Sequence, residues 1–501
     1  MNDLKKKLGL LGMLLSLFFS TVTVGTAASA ANQIQSFEAN SLIRADGSYW
    51  VWGGTYTVPT QITGLTDVAT SFGLNYVTKS DGTVWKWERT SSPQVNVYPV
   101  EGVSDVLASS YHSPLILDAN GHVFVLPELD QDAGSATQAE RIPNIDNIQD
   151  ISGYYNVRES QYQWLLLKKD GTVLKSLDSY RTFEAIPDLN EVVDIERNYV
   201  LKSDGTVWAW ANDYNQAYTE NDKAAGQELI KIDGLNQIEQ MYIGQYTNVA
   251  IDRHARLWFW GGTVTGWSDG TTYHEQPEPI LITSISGVKD AFIHERSIVV
   301  FTQEGNLSRA SFEGERMPND PEFSLIASDV AAVKHGARHV IMQKKDGSLW
   351  GWGVNKNADL GYGDFQFMHD PPVPVKPPIA VELNGHPVQL SNGVIIKNDQ
   401  AFIPIRSIFE DLGAEVSWDM MTKVATISKS HPVESPVAIS VSFTTGELSL
   451  NDEQIILENQ PFINAGTSYL PLRFISQSLG AQVEWNQQAQ KIFIEMEETN
   501  N

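Results

Sequence analysis

Cysteine is absent from all 501 residues of this chain. That excludes disulfide stapling, zinc–thiolate sites, a lipid-modified N-terminal cysteine and thiol catalysis. Positive charge is scarce as well, with 35 Lys and Arg against 61 Asp and Glu and a formal net charge of −26. Such a surface repels nucleic acid and anionic lipid, and it favours solubility or cationic partners. Also missing are a Gly-rich phosphate loop, a nucleophile elbow and a His-Glu-x-x-His pair. Beyond the first residues no apolar run is long enough to span a bilayer. A chain this long and free of disulfides must draw its stability from core burial.

Residues 1–30 read as a secretory signal. Lys5-Lys6-Lys7 form a basic start, Leu8 to Val24 an apolar stretch, and Ala28-Ser29-Ala30 a small-residue cleavage site. Removing this leader, with its three lysines and one aspartate, takes the charge from −26 to −28. The expected location is extracellular, with cell-wall association as a further expectation.

What the chain has in abundance is one phrase. Lys202 to Trp210 reads KSDGTVWAW, and versions of it recur at Lys79 to Trp87, Arg44 to Trp52 and Lys344 to Trp352. Eroded copies lie at Asp118 to Leu126, Lys168 to Leu177, Asp252 to Trp260 and Thr302 to Ala310. Copies 34 to 50 residues apart point to a repeat architecture. Asp-Gly between alternating apolar runs predicts a hairpin with a type I′ turn, positive φ at both central residues. A short apolar strand with a central Asp precedes each hairpin, as in Leu65-Thr66-Asp67-Val68-Ala69 and Val192-Val193-Asp194-Ile195. Ten of the fourteen tryptophans form Trp-x-Trp pairs, which period-two geometry puts on one strand face. At this regularity they read as packing between sheets and not as a ladder for stacking a ligand.

These residues resemble the repeat of the RCC1-like (chromosome-condensation-regulator) propellers, and Asn355 to Gly363 resembles that family's loop after the Trp strand. The resemblance covers 33–366 and implies a mainly β fold, a propeller of seven blades. Eight, the number of Asp-Gly-type hairpins, is the other count. The leader and the acidic charge argue against carrying over chromatin or a small GTPase as partner. A proline-rich linker is expected at 367–378, as a semi-stiff spacer.

Beyond it, at 379–497, a second repeat appears twice, offset by 67 residues. Ala401 to Ile408 matches Ser468 to Ile475, and Asp411 to Trp418 matches Ser478 to Trp485. Each copy reads as a strand, a Pro-led short helix ended by Leu-Gly-Ala, and a hairpin. This resembles the copper amine oxidase N-terminal-like (stalk) domain, which implies a small α+β domain of two internal repeats. The oxidase's chemistry does not carry over. Asn75-Tyr76 and Asn198-Tyr199 are each followed by Val, and no His-x-His occurs among the ten histidines. No catalytic residue, cofactor or metal is expected. The matched Arg406 and Arg473 are expected to hold the helix start to a nearby carboxylate or carbonyl, and His335 and His339 are read as structural.

The expected function is that of a secreted, non-enzymatic adaptor. Propeller loops contact the ligand, an extracellular protein or cell-wall polymer, and the C-terminal domain spaces or tethers them. The contact residues are expected in the loops after Trp210 and Trp260, namely Tyr214, Tyr218, Trp267, Tyr273 and His274. A monomer is expected, with no nucleic acid partner. The alternatives are a soluble inhibitor of an extracellular enzyme, and an enzyme acting on polysaccharide through propeller-face carboxylates.

Overall fold

The computed structural model describes residues 33–73, 75–89, 94–109, 115–126, 137–156, 160–178, 180–210, 229–266, 270–430, 436–464 and 466–496. The leader, Tyr214, Tyr218 and Trp267 lie outside them.

Eight sheets follow one another, spanning 34–61, 68–104, 106–141, 148–185, 192–231, 238–282, 288–327 and 330–374. Each is an antiparallel meander of four strands, and the second gains Thr137–Gln138 as an extra parallel strand. The count is therefore eight blades and not seven. Every Asp-Gly-type hairpin builds a sheet of its own, and the first and last sheets share no strand. A meander puts its first–second and third–fourth connections at one end, the loop end. The Asp-Gly turn falls at the other, the turn end.

The turn is not type I′. Only its glycine has positive φ, as at Gly47 (76°), Gly82 (83°) and Gly205 (79°). The Gly47 N–H donates to the Arg44 carbonyl at 2.9 Å and the Arg44 N–H to the Ser48 carbonyl at 3.1 Å, a type I turn closed by a left-handed glycine. The Asp carboxylate selects this form by accepting the N–H two residues on, as from Ser48 at 2.9 Å. The glycine carbonyl then accepts an N–H from the next sheet: Gly47 from Val68 (2.9 Å), Gly121 from Ile148 (2.9 Å), Gly205 from Ile238 (3.0 Å) and Gly305 from Val330 (2.9 Å). The turn is thus also the joint between blades.

The rest of the phrase is scaffold too. The Ser or Thr hydroxyl donates to the Asp carboxylate and accepts the indole N–H of the first Trp, at 2.6 and 3.0 Å in Asp81–Thr83–Trp85 and 2.7 and 2.9 Å in Asp204–Thr206–Trp208. Asp46–Ser48–Trp50 and Asp346–Ser348–Trp350 repeat the relay. The leading cation lies over the same indole, 4.4 Å away for Lys79 on Trp85 and 5.3 Å for Lys344 on Trp350. None of the ten paired tryptophans is exposed.

The chain divides into two compact units. One holds Ser71–Lys86 and Tyr98–Ala331; the other holds the described residues up to Thr70, Trp87–Val97 and those from Ala332 onward. In the second unit the first and eighth sheets share a core of Trp50, Trp52, Ile341, Leu349 and Leu360. The loop after Val354 clasps them. Asn355, fully buried, accepts the Leu360 N–H at 3.0 Å, and the Asp359 carbonyl accepts the Trp52 indole N–H at 2.9 Å.

The expected linker is a strand. Met368–Pro374 is the outer strand of the eighth sheet, pairing Trp350 with Pro374 and Gly353 with His369. Prolines are tolerated there because an edge strand's outward N–H groups need no ladder partner.

The C-terminal domain has three sheets and, among its described residues, one helix, α1 (Leu472–Ser478). The first copy forms turns where the second forms α1, so the expected pair of helices is half realised. Strands Gln400–Pro404 and Thr467–Pro471 of the two copies pair antiparallel about Ile403 and Leu470. The domain docks on the outer strand of the first sheet, Tyr56–Gln61. Asn392, fully buried, accepts the Thr57 N–H at 3.1 Å and donates to the Thr57 hydroxyl at 2.8 Å. Gln389 accepts the Thr63 N–H and donates to the Gln61 carbonyl, both at 3.0 Å.

Candidate binding face at the loop end

Two hairpins of the first unit run past the rest of their sheets at the loop end. In the fourth sheet Ile148–Asn156 pairs with Gln161–Lys168, which puts Tyr155, Tyr162, Gly153 and Trp164 on one face. Tyr162 stacks on Trp164 with ring centres 5.8 Å apart and planes 14° apart, and Tyr155 meets Tyr162 edge-on at 5.5 Å. The indole lies where a Cβ on Gly153 would come within 2.3 Å of it, so glycine makes room for the stack. Tyr155 and Tyr162 remain 39% and 50% exposed.

In the sixth sheet the segment expected as a loop after Trp260 is largely strand. Leu257–Thr265 pairs with Thr272–Ile282, and the register shifts between Phe259 and Gly261. Gly261, with φ at 105°, takes up that bulge and lets the ladder run on to Thr265 and Thr272. Tyr273 and His274 therefore stand on a strand. Tyr273, half exposed, packs on Tyr246 with ring centres 4.0 Å apart, and His274 Nε2 lies 2.7 Å from the Thr265 hydroxyl.

The seventh sheet braces this hairpin. The Gly314 N–H donates to the Val264 carbonyl at 2.8 Å. Buried Gln276 accepts the Met317 N–H at 2.9 Å and donates to the Met317 carbonyl at 3.3 Å. Arg296 reaches the Gly266 carbonyl, the Thr271 hydroxyl and the Glu313 carboxylate. Exposed aromatics held this firmly lose little side-chain freedom on binding.

Elsewhere the chemistry is sparse. Among the described residues no group of three or more His, Asp or Glu is placed to hold a metal ion, and no helix is long and apolar enough to cross a membrane. An open groove of about 310 Å³ lies by the seventh sheet's turn, lined by Thr302, Glu304, Asn306 and Ser308 among others. The Arg406 and Arg473 side chains are exposed and make no hydrogen bond or ion pair with the described residues, so the expected anchoring is not found among them. His339 is buried with Nε2 3.0 Å from the Ala39 carbonyl, which ties the eighth sheet to the first. Tyr155 and Tyr162 are not among the contact residues expected from the sequence. Their only signal is the alternation of Tyr162 and Trp164 in a run that also reads as core strand.

A repeated phrase building eight four-stranded meanders defines an RCC1-like β-propeller, followed by a two-copy α+β domain. The model of the copper amine oxidase N-terminal domain matches residues 382–494. No curated protein matches the chain. Among solved structures it is similar to yeast RCC1 (Prp20) in complex with Kap60, at 14% identity over 73% of this chain and 89% of that one, with a TM-score of 0.42. Prp20p of Saccharomyces cerevisiae on its own gives 12% identity over 72% and 91%, with 0.40. Human WBSCR16 gives 15% over 64% and 86%, with 0.38.

Proposed function

We propose that this is a secreted, non-catalytic binding protein whose loop end recognises an extracellular protein or cell-surface ligand. One observation carries the reading: exposed aromatic clusters, Tyr155 with Tyr162 and Tyr246 with Tyr273, stand at the loop end on extended hairpins. Rigid, amphipathic tyrosines are enriched among the few residues that carry most of the energy in protein recognition. The C-terminal domain acts as a fixed attachment to the first blade, since Asn392 and Gln389 grip that blade's outer strand. The copper amine oxidase match is to that protein's N-terminal domain.

The test is affinity capture from culture supernatant and from a cell-wall fraction, with the wild type and a Tyr155→Ala/Tyr162→Ala variant. The variant is expected to recover at least about tenfold less ligand, as for loss of a hot-spot pair. Equal recovery overturns the reading. Recovery of a stoichiometric enzyme whose activity is suppressed would single out the inhibitor role.

A further inference from the structure

Two hydrogen-bond donors sit together at the loop end of the second unit, the Tyr56 hydroxyl and the Arg89 Nη1, and neither has a hydrogen-bond partner among the described residues. Tyr56 opens the strand Tyr56–Gln61 directly after the Gly54–Thr55 turn. It is 4% exposed, and its hydroxyl is buried without a hydrogen bond. Arg89 closes the strand Thr83–Arg89, with its guanidinium carbon 4.9 Å from the centre of the Tyr56 ring. Its Nη1 is buried and bonds to nothing, and no carboxylate among the described residues pairs with it.

Native proteins rarely leave a buried donor unmatched, because the desolvation cost of the group is then uncompensated. A half-buried guanidinium without a counter-ion is rarer still. Both donors call for an acceptor, and the cation calls for a negative one. Burial, only partly offset by the Arg89 charge, raises the Tyr56 pKa and keeps the hydroxyl a donor. A carboxylate offers two oxygens to two donors, and guanidinium matches its planar form. It also carries a single negative charge, less than sulfate or phosphate at neutral pH, which matters on a chain of net charge −26.

We propose that Tyr56 and Arg89 form a carboxylate-binding site, which receives an acidic side chain or a chain terminus of a peptide ligand. The phenol donates to one carboxylate oxygen and the guanidinium to the other.

The probes are acetate, N-acetylglycine and inorganic phosphate, titrated against chloride at constant ionic strength into the full chain. Melting temperature and the line width of ¹³C-labelled acetate are read. Acetate or N-acetylglycine is expected to raise the melting temperature of the wild type, and the more effective of the two names the source. Arg89→Met and Tyr56→Phe each weaken the binding at least about tenfold, as for loss of a charge-assisted hydrogen bond. Without anion both variants melt no lower than the wild type, because each removes an unmatched donor. Equal shifts in the wild type and Arg89→Met mean a general salt effect and overturn the site. So does a lower melting temperature of both variants without anion, which would mean a buried water already satisfies the donors. Phosphate outperforming both carboxylates overturns the assignment of the ligand.

Discussion

The two copies within the C-terminal domain put the same residue to different uses. Asn392 of the first copy reaches out and grips the backbone of Thr57 and Val58 in the first blade. Asn459, 67 residues later, turns inward and accepts the Asn398 side-chain N–H at 2.6 Å. The residue matching Asn398 is Ala465, which has no side-chain amide. Their neighbours diverge likewise. Gln389 binds Thr63, whereas its counterpart Ile456 is 94% exposed. Repetition builds the domain, and departure from the repeat decides what it touches. The propeller follows the same logic: its regular phrase is consumed by turns, joints and indole contacts, while the exposed tyrosines stand where the phrase has lapsed.

The sharpest break in that comparison sets one phrase glycine against another. A Cβ on Gly205 would come within 2.5 Å of the Gln237 Cα, whereas around Gly347 nothing lies within 4 Å; both have positive φ. Gly205→Ala is expected to cost about 3–4 kcal/mol and Gly347→Ala about 1 kcal/mol, read by urea denaturation. Similar losses would mean that the glycine serves its own turn and not the joint. Next come the matched asparagines. Asn392→Ala strands the buried backbone N–H groups of Thr57, Val58 and Gly393 and is expected to cost about 3 kcal/mol, Asn459→Ala about 1 kcal/mol. Reversal of that order would undo the asymmetry between the copies.

A smaller effect separates the closing contact from the repeated turns by pH. Burial holds the His339 pKa below its usual value, so the folded chain resists a proton that the unfolded chain accepts. Stability therefore falls as pH drops below about 6.5 and levels off below the folded pKa. Melting of His339→Gln is expected to lack that step. Hydrogen bonds from Thr83, Thr206 and Ser348 lower the carboxyl pKa of Asp81, Asp204 and Asp346. Their contribution is complete above about pH 4 and is lost as pH falls through the lowered values. A single transition that His339→Gln leaves unchanged would count against a separate closing contact.

The propeller and the two-copy domain were legible because a repeat betrays itself in one sequence. Three features were not. The turn type is not legible because Asp-Gly serves both a type I′ turn and a type I turn with a left-handed glycine, and the Asp carboxylate's bond to the N–H two residues on, with the joint to the next blade, selects the second. Met368–Pro374 looks like a spacer in sequence because proline count does not reveal that a strand sits at a sheet edge. The loop-end site was legible only in part. Tyr273 was found from its place after Trp260, while Tyr155 and Tyr162 look like core until the pairing of Gly153 with Trp164 shows their hairpin running past its sheet.

The most direct measurement compares the two ends of the propeller in one capture assay. Tyr162→Ala with Tyr273→Ala alters the loop end, and Glu304→Ala with Asn306→Ala alters the groove by the seventh turn. The loop-end pair is expected to lower ligand recovery at least about tenfold, and the turn-end pair to leave it unchanged. Loss of ligand in the turn-end pair, with recovery intact in the loop-end pair, would contradict the account.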